Sequence, residues 1–301
     1  MSGRTLGSAI FVLVLGSFFA TLCDVVVKLA DAKVAIYQLT FLRIVFMCLI
    51  LLPIVFVRMW RRPDHLSVGI KLHFIRGHLW IVAALFLVLS LSELSLATAN
   101  AVFYTIPIFI MVFATVFYKE RLTLDVVVTA ICGFVGVLVI LRPTEVSMGM
   151  ISAVLFAVSI ALNSLLIKKI PQQQDMLYGL LITQMCALPV SGGLAWWEGE
   201  PLQLELVIYA ALASVCSILY CMACLTGYRY VESSKVTSAE YSGLIFAFLI
   251  GWLFFDETLD MWLFIGSFLI IAPLFYLTHR DARKLRKDQL LSNARANLNA
   301  G

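Results

Sequence analysis

The sequence has little charge and few of the residues that soluble enzymes use. Only 13% of its 301 residues are charged and 62% are hydrophobic, whereas a soluble protein of this size needs a more polar surface to cover its core. It has four histidines and no HExxH, GxSxG, Walker or GxGxxG motif. Metalloprotease, serine hydrolase, ATPase and dinucleotide-binding activities of the common types are therefore excluded, and we expect no cofactor and no enzyme.

The sequence also has few residues placed to bind a metal ion or to form disulfide bonds. All seven cysteines fall inside apolar segments, and the single C-x-x-C pair, Cys221 and Cys224, has no second pair or nearby histidine. A structural metal site needs three or four such ligands, so we predict none here. The cysteines are better interpreted as small apolar packing residues, and no disulfide framework is indicated.

Long apolar runs occupy the chain instead, and the only long polar stretch is the last 23 residues. Runs of about 20 apolar residues are long enough to cross a bilayer, and helices cross it because lipid cannot satisfy backbone polar groups. The fold class predicted is therefore an all-α membrane protein with ten transmembrane helices. The predicted spans are 5–29, 34–57, 71–92, 96–117, 122–141, 148–168, 175–197, 204–228, 236–255 and 260–278.

The positive charges are distributed unevenly between the two sides of these spans. With the N-terminus in the cytoplasm, 18 of the 22 Lys and Arg residues fall on the cytoplasmic side, and Lys28, Lys33 and Arg142 fall opposite. Such asymmetry sets orientation, so both termini are predicted to be cytoplasmic. The net charge of +4 is then a topology signal, and we expect the lipid bilayer as partner but no nucleic acid.

The chain contains an internal repeat. Residues 95–139 align without a gap on residues 232–276, and Tyr104 then falls on Tyr241. Five spans precede the loop at 142–147 and five follow it, and because five is odd the second half must insert upside down. An inverted repeat of membrane helices is typical of a transporter with its site between the halves.

Five motifs stand out in and around these repeated segments: Asp24–Lys28, Phe117–Arg121, Gly133–Leu138, Glu240–Leu244 and Gly251–Glu257. They resemble the EamA repeat of the drug/metabolite transporter superfamily. The resemblance implies two inverted five-helix EamA repeats, 5–141 and 148–278, around a central cavity, followed by a basic cytoplasmic tail at 279–301. It also implies a bacterial inner membrane, and superfamily members carry amino acids, vitamins such as riboflavin, S-adenosylmethionine, metallophores and drugs.

Two opposite charges inside the first two spans are the first candidate site. A charge at mid-helix costs roughly 2.5–3.5 kcal/mol on insertion scales, and Arg43 lies about 14 Å deep at 1.5 Å per residue. Asp24 lies in the neighbouring helix of the same hairpin. Arg43 can bind a substrate carboxylate while Asp24 meets a substrate ammonium group or a proton. Alternatively, the two form a structural ion pair that locks the hairpin.

Glu240 and the two repeat-equivalent tyrosines are further candidates. Glu240 lies about 6 Å inside its span and suits proton coupling or cation recognition, or it is a helix-start carboxylate favoured by the helix dipole. Tyr104 and Tyr241 offer a ring face and a hydroxyl to a ligand, or they anchor the helices at the interface. Glu120 and Glu257 occupy matching turns, where capping is the better interpretation.

Other polar or aromatic groups inside the spans are predicted to turn inward, either to contact substrate or to form hydrogen bonds between helices. They are Trp80, Asn100, Asn163, Gln184 and Tyr220. Three prolines within spans, Pro107, Pro189 and Pro273, mark possible kinks.

The function predicted is secondary, non-ATP transport of a small amphoteric metabolite, amino-acid-like or amino-acid-derived, by alternating access, with a proton as the candidate coupling partner. Alternatives of the same fold are import of a riboflavin-like vitamin or S-adenosylmethionine and export of a metallophore. A membrane-embedded enzyme acting on lipid would need acids or histidines clustered near one interface, and the acids here are scattered. A purely structural or receptor-like bundle is the third possibility.

Overall fold

The structure is a computed structural model that describes residues 6–30, 35–61, 69–119, 124–141, 147–167, 169–170, 174–228, 241–258, 260–273, 275–276, 279–280 and 283. Within these ranges the chain forms helices and no strands. The helices are α1 Leu6–Leu29, α2 Ile36–Arg61, α3 Ile70–Glu93, α4 Leu96–Phe103, α5 Ile106–Tyr118, α6 Leu124–Leu141, α7 Met148–Ile167, α8 Met176–Glu198, α9 Leu204–Tyr228, α10 Ser242–Phe255 and α11 Met261–Pro273.

The helices confirm the predicted all-α class. Within the described ranges, seven apolar segments are long enough to cross a membrane, and α4 and α5 together form one of them. Three shorter apolar helices, Val127–Leu141, Ser242–Phe255 and Met261–Pro273, coincide with the fifth, ninth and tenth predicted spans. Of the predicted tail, only 279, 280 and 283 lie within the described residues.

The fourth span is broken near its middle. α4 ends at Phe103, and α5 begins at Ile106 with Pro107 in its first turn. Proline lacks an amide hydrogen and its ring clashes with the carbonyl four residues earlier, here that of Phe103, which favours a break in the helix at this point. Pro107 therefore marks a break, whereas Pro189 lies inside the continuous α8. Residues 275 and 276, beyond Pro273, are again helical, so Pro273 does not mark a helix end.

The second repeat has matching features at the aligned positions. Tyr241, which aligns with Tyr104, lies at the N-terminal cap of α10. Lys119 and Asp256, also aligned, each end their helix in the left-handed conformation, with φ of 52° and 49°. Non-glycine residues adopt this conformation infrequently. Its recurrence at aligned positions shows that the two repeats share backbone detail as well as composition.

Helices of the first half pack mainly on helices of the second half. α1 packs on α9, α3 on α7 and α2 on α8. The backbone of Tyr37, near the start of α2, contacts Glu198 at the end of α8, while Arg58 near the end of α2 contacts Asp175 before α8. α2 and α8 occupy corresponding places in the two halves, and these contacts show that they run antiparallel.

Small residues line the interfaces between these helices. Ala153, Ala157 and Ala161 on α7 are fully buried, and Gly243 and Ala247 on α10 are buried as well. Large apolar side chains such as those of α6 and α11 are instead exposed in the isolated chain, as expected for surfaces that face lipid.

Candidate functional site

Arg43 is buried without a full set of partners. Its side chain is 3% exposed, its Nη2 donates a long hydrogen bond to Cys23 Sγ at 3.5 Å, and its guanidinium carbon lies 5.6 Å from the centre of the Trp80 ring. Its Nε and Nη1 have no hydrogen-bond partner among the described residues. A thiol and a ring face only partly compensate a buried charge, so this cation can accept an anionic ligand.

Asp24 and Asn100 adjoin Arg43. The half-buried Asp24 carboxylate is hydrogen-bonded to the Asn100 side chain and lies close enough to Arg43 for the two charges to interact. Asn100 also donates from Nδ2 to the Leu96 carbonyl at 3.2 Å. The expected approach of Arg43 and Asp24 is therefore present. The four helices α1 to α4 each contribute a polar or aromatic side chain to this cluster, with Trp80 on α3.

The second half reaches the same cluster through α9. Ser217 Oγ lies 3.2 Å from Cys23 Sγ, and Ser214 Oγ donates to the Arg43 carbonyl at 3.0 Å. Tyr220, one turn further along α9, packs against Gly16 of α1. The two serines were not predicted as site residues, although their spacing of three inside an apolar span puts both on one helix face.

Tyr104 and Tyr241 meet at the interface of the repeats. Their ring centres are 5.9 Å apart with the planes inclined by 62°, an edge-to-face contact. The Tyr104 hydroxyl occupies the space that a Cβ on Gly243 would need. Thr21 of α1 donates from Oγ1 to the Gly243 carbonyl at 3.1 Å. The backbone at Gly243 therefore approaches both helices closely, and only glycine fits there without displacement.

Asn163 lies in a different cluster. Arg76 Nε donates to Asn163 Oδ1 at 3.1 Å, and Asn163 Nδ2 donates back to the Arg76 carbonyl at 3.0 Å. Thr183 Oγ1 lies 3.5 Å from Arg76 Nη1 and 2.9 Å from Nδ1 of the buried His73, whose Nε2 is 3.1 Å from the Gln174 amide nitrogen. These contacts join α3 to α7 and α8, so they cross between the repeats.

Arg76 is a second buried cation, and it was not among the predicted site residues. It lies in the second turn of α3 and is 8% exposed. The predicted span 71–92 already contained Arg76, although it adjoins the run of basic residues that starts at Arg58. The rule that marked Arg43, a charge inside an apolar segment, applies equally to Arg76.

Gln184 is near the first cluster, and Glu240 lies outside the described residues. Gln184 is fully buried on α8, its Nε2 donates weakly to Met47 Sδ at 3.6 Å, and its Oε1 has no partner among the described residues. Met47 is one helical turn from Arg43 on α2. Gln184 therefore faces the interface between α2 and α8, one turn from the arginine.

Glu257 has the capping role that its turn position predicted. Its Oε1 accepts from the Leu96 amide at 2.6 Å, its Oε2 accepts from the Ala97 amide at 3.3 Å, and Lys28 forms an ion pair with it at 3.3 Å. These amides belong to the first turn of α4, whose N–H groups have no partner within the helix. Glu120 lies outside the described residues.

Three comparisons with known proteins bear on identity. The model of the EamA-like transporter family matches residues 7–142 and 147–278. The chain belongs to the EamA-like transporter family. Membership makes this chain a multi-pass membrane protein of the drug/metabolite transporter type, and it indicates a transporter in preference to an enzyme. In the part of the chain that the structure describes, no group of three potential metal ligands is found.

Curated relatives of the EamA chain include transporters with different named cargoes. The chain is 24% identical over 270 residues to an S-adenosylmethionine uptake transporter of Rickettsia bellii, covering 88% of this chain and 91% of the relative. It is 24% identical over 287 residues to the pseudopaline exporter of Pseudomonas aeruginosa, covering 91% and 96%. A solved crystal structure shares the fold with a TM-score of 0.56 at 18% identity, covering 90% and 97%.

Proposed function

We propose that this EamA transporter carries a small amphoteric metabolite, amino-acid-like or amino-acid-derived, across a bacterial inner membrane by alternating access. The observation that carries the proposal is Arg43, a 3%-exposed cation with two guanidinium nitrogens unpaired among the described residues. A substrate carboxylate supplies the missing acceptors, and its charge offsets the cost of burying the guanidinium.

The groups around Arg43 suit the rest of such a substrate. Asp24 provides a negative charge on the neighbouring helix, matched to an ammonium group. Trp80, already in contact with the guanidinium, provides an aromatic face. Tyr104 and Tyr241 extend the aromatic surface to the interface between the repeats. Carboxylate, ammonium and an apolar or aromatic remainder together describe an α-amino-acid derivative.

The halves are proposed to be inverted repeats that rock about this site, with both termini in the cytoplasm. The antiparallel course of α2 and α8, which correspond in the two repeats, supports the inversion. The broken fourth span and the helix start at Ser242 support a site at the repeat interface, because discontinuous helices line the sites of such transporters. A proton carried by Asp24 or Glu240 is the proposed coupling ion.

S-adenosylmethionine is the specific substrate to test first. It has an amino-acid head, a sulfonium cation and an aromatic base, and relatives at 24% identity are named as its uptake transporters. Export of an amino-acid-derived metallophore is the second candidate, supported by the pseudopaline exporter of P. aeruginosa. A riboflavin-like vitamin is the third, and only the aromatic groups favour it.

Flux into proteoliposomes tests this proposal. Purified protein would be reconstituted and offered labelled S-adenosylmethionine, amino acids, riboflavin and an amino-acid-derived metallophore, with and without an imposed pH gradient. We expect saturable flux of at least one compound with an amino-acid head. Folded protein that moves no member of the panel would contradict the proposal, and product formation without net flux would favour a membrane enzyme.

A further inference from the structure

Three glutamates at one end of the bundle cap helices of the opposite repeat. Glu93, the last residue of α3, accepts from the Gly149 amide at 2.6 Å in the first turn of α7. Glu198, the last residue of α8, accepts from the amides of Tyr37 and Gln38 at 3.1 and 2.7 Å in the first turn of α2. In both cases a carboxylate of one half satisfies unpaired amides of the other.

Glu257 makes the third contact of this kind. From the turn after α10 it accepts from two amides in the first turn of α4. Lys28, near the end of α1, pairs with the same carboxylate and donates to the Leu94 carbonyl at 2.6 Å. A turn of the second repeat is thereby tied to α1 and to the α3–α4 connection of the first.

These three contacts lie at the same end of the bundle, above the Arg43 cluster. α1 ends and α2 begins at this end, and Arg43 is about 10 Å below the start of α2 at 1.5 Å per residue. Cys23, which contacts Arg43, lies about 9 Å before the end of α1 by the same measure. Because every contact crosses between the halves, separating the halves at this end requires all three to break.

We propose that Glu93, Glu198 and Glu257 form the gate that closes the site to this side of the membrane, the outer side by the charge distribution of the sequence. We name these three residues the glutamate clasp. Charge-assisted hydrogen bonds to helix N-termini are strong when water is excluded from them. When this end of the bundle opens, hydrogen bonds to water replace them. The clasp therefore sets the free-energy difference between the closed and open outer side without contacting substrate.

This inference rests on the alternating access of the proposed function but not on the substrate. Cys23 reports access to the site because it is 6% exposed and touches Arg43. An anionic, membrane-impermeant methanethiosulfonate is the probe, and Arg43 attracts it. The background protein keeps Cys23 and has serine or alanine at Cys48, Cys132, Cys186, Cys216, Cys221 and Cys224.

The test compares the rate of Cys23 modification in spheroplasts, which expose the outer face, and in inside-out vesicles. We expect Glu93→Gln, Glu198→Gln and Glu257→Gln each to raise the outer-face rate about fivefold, since each weakens one charge-assisted cap. The inner-face rate should fall, because the closed-outer population decreases. The matched control is Glu205→Gln, an exposed acid in the first turn of α9 at the same end.

Unfolding is distinguishable from opening, because a misfolded variant would react faster from both faces. Unchanged modification rates in all three folded Gln variants would overturn the clasp, and so would an equal increase in Glu205→Gln. An increase confined to inside-out vesicles would overturn its assignment to the outer face. If the clasp variants respond as expected while the substrate panel shows no flux, the substrate proposal fails and the clasp stands.

Discussion

At the residue scale, the most informative side chain is Arg43, because its surroundings are incomplete. A structural ion pair would surround the guanidinium with acceptors, yet the described neighbours supply a thiol at 3.5 Å, a tryptophan ring and one nearby carboxylate. Burying a charge with so few partners lowers stability. We therefore propose that Arg43 is present because it binds the carboxylate of the transported substrate.

Replacing Arg43 separates these explanations. Arg43→Gln should lower kcat/KM for the transported substrate about a hundredfold, the scale expected for losing a buried charge pair with a ligand. Stability should stay the same or rise, because an under-paired buried charge is removed. Flux in proteoliposomes and thermal unfolding in detergent measure the two effects. Normal flux with a marked loss of stability would indicate the structural ion pair instead.

Asp24 is expected to recognise the cationic part of the substrate. Asp24→Asn keeps the size and the hydrogen-bonding capacity toward Asn100 but removes the charge. We predict that KM for an amino-acid-headed substrate rises about tenfold or more. For the N-acetylated analogue, which lacks the ammonium group, the variant should differ little from the parent. Equal losses for both compounds would argue against a contact between Asp24 and the ammonium group.

Asn163 is predicted to behave differently from Arg43. Both ends of its amide are engaged by Arg76. Asn163→Ala removes the acceptor of Arg76 Nε and leaves the buried guanidinium only the long contact to Thr183, which should lower the free energy of unfolding by about 1–3 kcal/mol. The KM of transport should change little. A large rise in KM at unchanged stability would instead support the substrate contact predicted from the sequence.

At the scale of elements, the repeat interface depends on close backbone approach. The Tyr104 hydroxyl lies where a Cβ on Gly243 would stand, and Thr21 donates to the carbonyl of the same glycine. Tyr104 itself lies at the break between α4 and α5. The contact therefore joins α1, the broken fourth span and α10, which belong to both halves.

A double substitution tests this contact. Gly243→Ala should lower the free energy of unfolding by about 1–3 kcal/mol, the usual effect of overpacking. Adding Tyr104→Phe removes the hydroxyl and should recover most of that loss, because the remaining neighbours at Gly243, Ser17 and Thr21, are 3.5 Å from the added Cβ. Thermal unfolding of the two single variants and the double variant measures the coupling. Additive effects would contradict the contact.

At the scale of the whole molecule, local patterns were predictable and pairings between distant segments were not. The apolar segments were located to within a few residues, because charged and turn residues bound each run. The equivalence of Tyr104 and Tyr241 followed from the repeat, but the contact between their rings did not. The cluster around Arg76 and the capping of α7 by Glu93 did not, because a single sequence does not tell which helices become neighbours.

Exchange across the membrane is the measurement that tests the account most directly. Proteoliposomes would be preloaded with an unlabelled substrate found in the panel, and uptake of the labelled compound would be timed in the parent and in Arg43→Gln. Alternating access with a single site predicts that preloading accelerates uptake in the parent and that Arg43→Gln lowers uptake about a hundredfold with or without preloading. If the uptake rate does not depend on preloading and is unchanged in Arg43→Gln, the result would contradict a single site, centred on Arg43, that is exposed to each side of the membrane in turn.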